Sequence, residues 1–404
     1  MASRAPIALD LADRSFLADP SEGLARLREA GALAPIRLPL VGRVLVTTTH
    51  AATGEVLKDS ERFVIEARHA GLKGGPAGLR WWMPRSVRLV ADNMLGRDDP
   101  EHRRLRRAVD RAFVRRRAHD MRGSVAARAD RLLDDLPKED VVDLMPSYAR
   151  RLPLEVIADL LGVAEDDREA FARRARVFSS TAGTFGILRA ILSAGGLARM
   201  VRRMIAESRV EPREGLLADL IAADELDEDE LVSMVFLLLV AGMETTTNLI
   251  GGSIATLEHW PEQKAWWLEE PEARAERAVE ELCRHVSAVA GTKPRFVASD
   301  TSVGGIALAR GETVMALPLA ANRDPAVFDA PDDLRLDRFP NPHLSFGAGV
   351  HFCLGMQLAR VETQEALKRL HARFPDLSMV DERIDWAPRL GHRGPRTLRA
   401  RHSR

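Results

Sequence analysis

The chain has 404 residues, 59 basic and 59 acidic side chains, and only two cysteines. That balance excludes nucleic acid or a membrane surface as the main electrostatic partner. Two cysteines cannot build a disulfide framework, which points to a reducing compartment. Apolar residues at 46% and charged residues at 29% are those of a folded globular protein. The opening stretch MASRAPIALDLADRSF lacks the apolar core of a signal peptide, so a cytoplasmic protein is expected.

In chain order, VGRVLVTT (Val41–Thr48) reads as a strand. Ala67–Gly96 carries Gly, Pro and the adjacent Trp81 and Trp82 without clear periodicity, the mark of a long loop that contacts a ligand or closes over one. From about Pro100 to His285 helical patterns dominate. The first begins with Asp99 as N-cap and Pro100 at the first helical position. Val177–Met200 mixes small residues with Phe and Leu and reads as a second loose segment. DEDELVSMVFLLLVAGMETTTNLIGGSIATLEHW predicts one long helix with acids at its start; its apolar core, Leu231–Met243, is too short for a bilayer span and reads as a buried core helix. Another helix starts at Pro271, and Thr301–Leu317 reads as a hairpin followed by a strand. The expected fold is mainly α, with a small β-rich lobe built from roughly residues 30–66, 292–320 and 376–404. A helix this apolar must be covered on all sides, which favours one large domain over 1–404.

The stretch FGAGVHFCLGMQLAR holds Cys353 just before a helical pattern, ringed by glycines. A helix N-terminus favours thiolate over thiol, and glycines allow a tight turn and close approach. An anionic sulfur held by backbone donors under a flat ring suits a haem-iron ligand. Core packing and a cysteine nucleophile are the alternatives for this residue alone. Cys283 reads as a buried small hydrophobe.

The pattern Phe346, Gly349, Cys353, Gly355 matches F-x-x-G-x-x-x-C-x-G and resembles the haem-binding loop of the cytochrome P450 family, soluble bacterial type. Further motifs lie in the family's order. Ala241, Gly242, Glu244 and Thr245 fit A/G-G-x-D/E-T. Ala241 and Gly242 are small enough for close approach to a macrocycle, and the Thr245 hydroxyl can bond the Ala241 carbonyl four residues back. Glu244 and Thr245 form an acid–alcohol pair suited to passing protons. Glu281 and Arg284 fit E-x-x-R, and Arg338 is the candidate for the arginine that completes that cluster beneath the cysteine loop.

The resemblance implies a cytochrome P450-like domain with a long central helix over haem b, Cys353 as the iron ligand, and Glu244 and Thr245 as the catalytic pair. It implies that His102, Arg106, Arg295 and His351 hold the propionates. It implies a monooxygenase using O2 and electrons from an external ferredoxin and its reductase, with no nucleic acid or membrane partner, as a monomer. The basic helix from Pro100, with Arg103, Arg104, Arg106, Arg107, Arg111 and Arg115–Arg117, would then face the electron donor. By family position, Trp81, Trp82, Met83, Val87, Phe185, Phe236, Val240, Val289 and Phe296 are candidates for a pocket that takes a hydrophobic small molecule. The proline often found soon after E-x-x-R is absent from CRHVSAVAGTKPRF. Two further readings stay open on the same residues. One is a haem-thiolate enzyme that desaturates, couples or rearranges, and the other is a haem sensor without turnover; a colourless cysteine hydrolase is a third, remote one.

Overall fold

The computed structural model describes residues 5–39, 41–73, 93–115, 121–179 and 183–402, with the backbone alone at 114–115, 175–179 and 183–194. Its helices are α1 (Arg14–Ala18), α2 (Ser21–Glu29), α3 (His50–Lys58), α4 (Glu101–Arg115), α5 (Arg122–Asp134), α6 (Arg151–Leu161), α7 (Glu165–Ser179), α8 (Gly183–Val210), α9 (Leu216–Ala223), α10 (Glu228–His259), α11 (Pro261–Glu269), α12 (Pro271–Val286), α13 (Pro318–Ala321) and α14 (Met356–Arg373). The strands are β1 (Leu33–Leu38), β2 (Gly42–Thr47), β3 (Phe63–Val64), β4 (Val141–Asp143), β5 (Arg295–Val297), β6 (Thr301–Val303), β7 (Ile306–Leu308), β8 (Thr313–Met315), β9 (Ser378–Met379) and β10 (Arg399–Arg401).

The long helix forms as its sequence dictates. Asp227 caps it, and its carboxylate accepts the Glu230 N–H at 2.8 Å while the Glu230 carboxylate accepts the Asp227 N–H at 3.0 Å. This reciprocal pair satisfies two donors that would otherwise be orphaned. The helix is long and apolar enough to cross a membrane, but 72% of its most apolar window is buried inside the protein, where it packs on α6, α12 and α14. Burial is continuous from Leu231 to Leu239 and from Thr246 to Leu257. Between them Val240, Ala241, Gly242, Glu244 and Thr245 keep open surface, Ala241 most of all.

The main sheet runs β1-β2-β8-β5-β3, antiparallel except for the parallel β2–β8 pair, so residues near the start of the chain are stitched between and beside residues 295–315. β6 and β7 form the expected hairpin, turned by Gly304 and Gly305 at φ 53° and 78°, the two positive values that a two-residue turn of this kind needs. The small sheet β4-β10-β9 includes Val141–Asp143, which lies outside the β segments expected from sequence; a three-residue strand carries too little alternation to announce itself.

A second departure is Val177–Met200, expected to be loose. The backbone is helical at its start, in the end of α7, and again from Gly183 into α8. Small residues lower helix propensity by under about 1 kcal/mol each, and packing overrides that: at its described end α8 buries Leu197, Val201 and Ile205.

On α14, Glu362 is buried with Oε2 lacking a partner, and burial alone pushes its carboxyl up to about 8. An acid whose folded pKa lies above its ordinary value holds its proton longer in the folded state. Stability therefore falls as pH rises from about 4.5 through about 8. Glu362→Gln is expected to raise the melting temperature at pH 8 by a few degrees and to leave it unchanged near pH 4, a difference that thermal unfolding at the two pH values reads directly.

Candidate active site

The loop 346–355 is fixed by backbone geometry first. The Cys353 N–H donates to the Phe346 carbonyl at 2.9 Å, and Gly349 adopts φ 72° against α3, where a Cβ would stand 2.6 Å from the Leu57 carbonyl oxygen. Only glycine meets both demands. Gly355 has nothing within 4 Å of where a Cβ would stand, so there the missing side chain keeps space open. Burial pushes the Cys353 thiol up; the Gly355 N–H, Arg106 and Arg360 oppose this but do not outweigh it. A bound cation is what would hold this sulfur as thiolate against that burial. Cys283 is the buried, inert thiol its sequence setting suggests; burial pushes it far up.

Beneath the loop, Glu281 and Arg284 are wholly buried and share two hydrogen bonds of 2.7 and 2.8 Å. Arg338 joins them, its Nε 3.1 Å from both Glu281 oxygens, as its candidacy required. Asn341 Nδ2 and the Arg335 N–H each add a bond of 3.0 Å to the same carboxylate. The guanidinium groups spend their other donors on carbonyls of Asn322, Pro331, Asp333, Asp329 and Ala330. Every charge is paired, which buried ions require. A second cluster went unseen in the sequence. Arg360 makes two 2.6 Å bonds to Glu280, His343 adds one of 3.2 Å, and the Arg360 guanidinium lies 4.9 Å from the Phe346 ring centroid.

The four residues expected to hold carboxylates gather on one side of the loop. The His102 and His351 rings lie 4.1 Å apart. Arg106 donates to the Phe352 carbonyl at 2.8 Å and to Asp110 at 2.9 Å. Arg295 is buried and bonds the Val56 and Leu57 carbonyls; among the described residues its Nε has no hydrogen-bond partner, nor has His102 Nε2, while His102 Nδ1 stands 3.7 Å from Asp99. Burial and the positive neighbours His102, Arg295, Lys293 and Arg106 push His351 down to about 3, and burial lowers Arg295 to about 10. Lys293, missed by the sequence reading although it stands two residues from Arg295, keeps exposed surface yet is lowered by burial alone. Groups hemmed in by protein but not covered line an internal hollow. Arg106, Lys293 and Arg295 therefore gather positive charge around the two neutral histidines, next to the cysteine loop. That is the donor set a flat, iron-bearing, dicarboxylate ring needs, so the residues fit haem.

On α10 the Thr245 hydroxyl donates to the Ala241 carbonyl at 2.6 Å, as expected, and the helix runs on unbroken. Gly242 turns elsewhere: its Cβ would stand 3.2 Å from Ile157 of α6, so its smallness serves helix packing, while Ala241 keeps the open surface. Glu244 is held by Arg389 at 2.6 Å, a residue that sequence reasoning had no means of finding 145 positions away.

The pocket candidates divide. Trp81, Trp82, Met83 and Val87 lie outside the described residues, as does the side chain of Phe185. Phe236 is 1% exposed and sits in the helical core instead. Val240, Val289 and Phe296 are half-buried; Val289 bridges His392. The basic face of α4 is also less free than its sequence suggests. Arg103, Arg104, Arg106 and Arg111 pair with Asp99, Glu101 and Glu230, Asp110, and Glu225, and the side chains of Arg115–Arg117 lie outside the described residues.

Comparison with known proteins converges on the same arrangement. The family model described as Cytochrome P450 matches residues 275–382. The chain is 38% identical to the polyketide biosynthesis cytochrome P450 PksS of Bacillus subtilis, over 77% of this chain and 78% of that one. It is 36% identical to the vitamin D(3) 25-hydroxylase of Pseudonocardia autotrophica, over 92% of this chain and 90% of that one. The solved structure of PksS superposes with a TM-score of 0.87 at 32% identity, covering 97% of this chain and 99% of that one.

Proposed function

This chain belongs to the cytochrome P450 family of monooxygenases, and on that premise we propose that it uses haem b, dioxygen and electrons from a ferredoxin and its reductase to oxidise a hydrophobic small molecule in specialised-metabolite biosynthesis. It does so as a monomeric single domain in the cytoplasm. Bound haem supplies the centre at which dioxygen is reduced, one atom going to the substrate and the other to water. The protein's own groups do the rest. Cys353 would ligate the iron, and Arg106, Lys293 and Arg295, with His102 and His351, would hold the two propionates. Glu244 brings protons in, and Thr245 fixes a hydrogen bond at the reaction centre. Val240, Val289 and Phe296 offer apolar contact to substrate.

The observation that carries this reading is the cluster of Arg106, Lys293, Arg295, His102 and His351 beside the Cys353 loop, with His102 Nε2 and Arg295 Nε lacking a hydrogen-bond partner among the described residues. Relatives named for polyketide biosynthesis and for a vitamin D3 hydroxylation support a bulky apolar substrate for this chain too. The test is a titration of the purified haem protein with macrolactones, vitamin D3 and long-chain fatty acids, read as the spectral change on loss of iron-bound water. A saturable change followed by an oxygenated product supports the reading; a product lacking added oxygen transfers it to desaturation or coupling.

Thr245→Ala is expected to keep haem and the reduced–CO spectrum while coupling collapses. Peroxide then replaces product by roughly 10-fold or more. Product and peroxide measured per NAD(P)H consumed check it, and unchanged coupling would assign the hydrogen bond to another group.

A further inference from the structure

A small polar cavity lies where three distant segments meet. It measures about 40 Å³ as space open to water centres and is lined by Arg150, Arg389 and Arg396 and by Glu244, Thr247 and Asn248 of α10. On that measure ~10–15 Å³ holds one water, so the space takes roughly three, or one small tetrahedral ion. Glu244, Thr247 and Asn248 fall on one face of α10, and Gly251 continues it. A Cβ on Gly251 would stand 2.4 Å from Met145 Sδ, and a Cβ on Gly394 would stand 2.2 Å from Asn248 Oδ1. The two glycines thus let the segments around the cavity close on the helix. Thr247 and Asn248 are each 5% exposed, and among the described residues Thr247 Oγ1 and Asn248 Nδ2 have no hydrogen-bond partner. Leaving such atoms unmet is costly, so the cavity calls for an occupant, and the amide needs one that accepts. Charge points the same way: within the lining, guanidinium groups outnumber carboxylates three to one. Arg389 spends Nη1 on Glu244, and Arg396 spends Nε and Nη2 on Asp385, which is itself shared with Arg14. A guanidinium carries five N–H donors, more than these pairs use. Water alone would satisfy the amide and the hydroxyl but would leave the charge unmatched.

We propose that this cavity binds one inorganic oxyanion of the phosphate or sulfate class, held by the Arg150, Arg389 and Arg396 guanidinium groups, the Asn248 amide and the Thr247 hydroxyl. The inference goes beyond the monooxygenase reading and does not depend on it. Guanidinium forks present paired donors that match the oxygens of such an ion, which is why arginine dominates sites of this kind. Glu244 keeps its bond to Arg389, whose remaining donors serve the ion. Space for roughly three waters leaves none for an organic group, so a free ion fits and an ester does not. The bound ion ties together the 145–150 segment, α10 and the 389–396 segment. The unfolded chain has no such site, so the ion stabilises the folded protein by mass action. No bond is made or broken and no electron moves.

Binding can be read without turnover, on the haem-loaded protein. Thermal unfolding is followed as sodium phosphate or sulfate is added at constant ionic strength, with gluconate making up the balance. A saturable rise in melting temperature of about 3 °C is expected, on top of the linear rise that excluded salts give any protein. Arg150→Met should raise the half-saturating concentration about 10-fold, and Arg150→Lys should raise it less. Asn248→Asp puts a carboxylate where a donor stood and should abolish the saturable part. Should that buried change prevent folding, Arg150→Met, at a half-buried position, still decides the matter. In crystals soaked with selenate, a heavier tetrahedral dianion, anomalous density is expected within hydrogen-bond reach of Thr247 Oγ1 and Asn248 Nδ2. A purely linear rise, equal in every variant, with only water in the cavity, would overturn the site. So would selenate density with no saturable rise, which would mean an adventitious ion only. Neither result would touch the haem assignment, which the reduced–CO spectrum reads separately.

Discussion

Cys353→Ala is expected to give a folded protein whose reduced, carbon monoxide-treated spectrum lacks the long-wavelength Soret band of a thiolate–iron complex. The fold should survive because the loop is not held by the sulfur. Its turn rests on the Cys353 backbone N–H bonded to Phe346, on Gly349 seated against Leu57, and on the Glu280–Arg360 pair beside Phe346. The thiol itself is a buried group whose ionised form burial disfavours, so removing it costs the apoprotein little. Ligation is different, because only this side chain among the described residues offers a sulfur at the mouth of the hollow; Cys283 is buried in the core. Product formation should fall below detection. A variant that kept the full thiolate-type spectrum would refute the assignment of the ligand.

Arg338→Ala is expected to lower stability by about 3–5 kcal/mol, the typical cost of removing one partner from a buried ion cluster. The variant should also be purified with much less haem per chain. The size follows from burial: Glu281, Arg284 and Arg338 have side chains 0%, 0% and 6% exposed, so the Glu281 carboxylate loses one of its two guanidinium partners and the Asp329 and Ala330 carbonyls lose their donor where water cannot replace them. Haem loss follows because the cluster holds the segment 329–341, from which the chain runs directly into the cysteine loop. Arg373→Ala is the contrast. Its pair with Asp134 is exposed on both sides, and its removal should cost under about 1 kcal/mol. Denaturant unfolding of the two variants, with the haem-to-protein absorbance ratio, measures both effects; equal small losses would mean that the loop is supported some other way.

Much of this site could be read from spacing, and the reason is local geometry. Cys353 and Gly349 belong to one turn, Thr245 and Ala241 to one turn of helix, and Glu281 and Arg284 to one helix face, so each relation is encoded within a few residues. What escaped was contact between distant segments. Nothing near Glu244 in sequence announces Arg389, and nothing near Phe346 announces that Glu280 will meet Arg360. Gly242 shows the converse limit: a small residue in the right motif faces Ile157, because the face on which it falls is set by how α6 and α10 cross. The helical Val177–Met200 stretch was hidden for the same reason, its support coming from packing and not from its composition.

The wall around the cysteine loop is made by two distant parts of the chain. Arg295 is tied to the Val56 carbonyl 239 residues earlier, Gly349 presses on Leu57, and β2 lies alongside β8. During synthesis, the early strands and α3 emerge long before their partners exist and must wait for them. Contacts so far apart in sequence form slowly. The seat the cofactor needs is therefore complete only once nearly the whole polypeptide has been made, and the early strands and α3 are part of it.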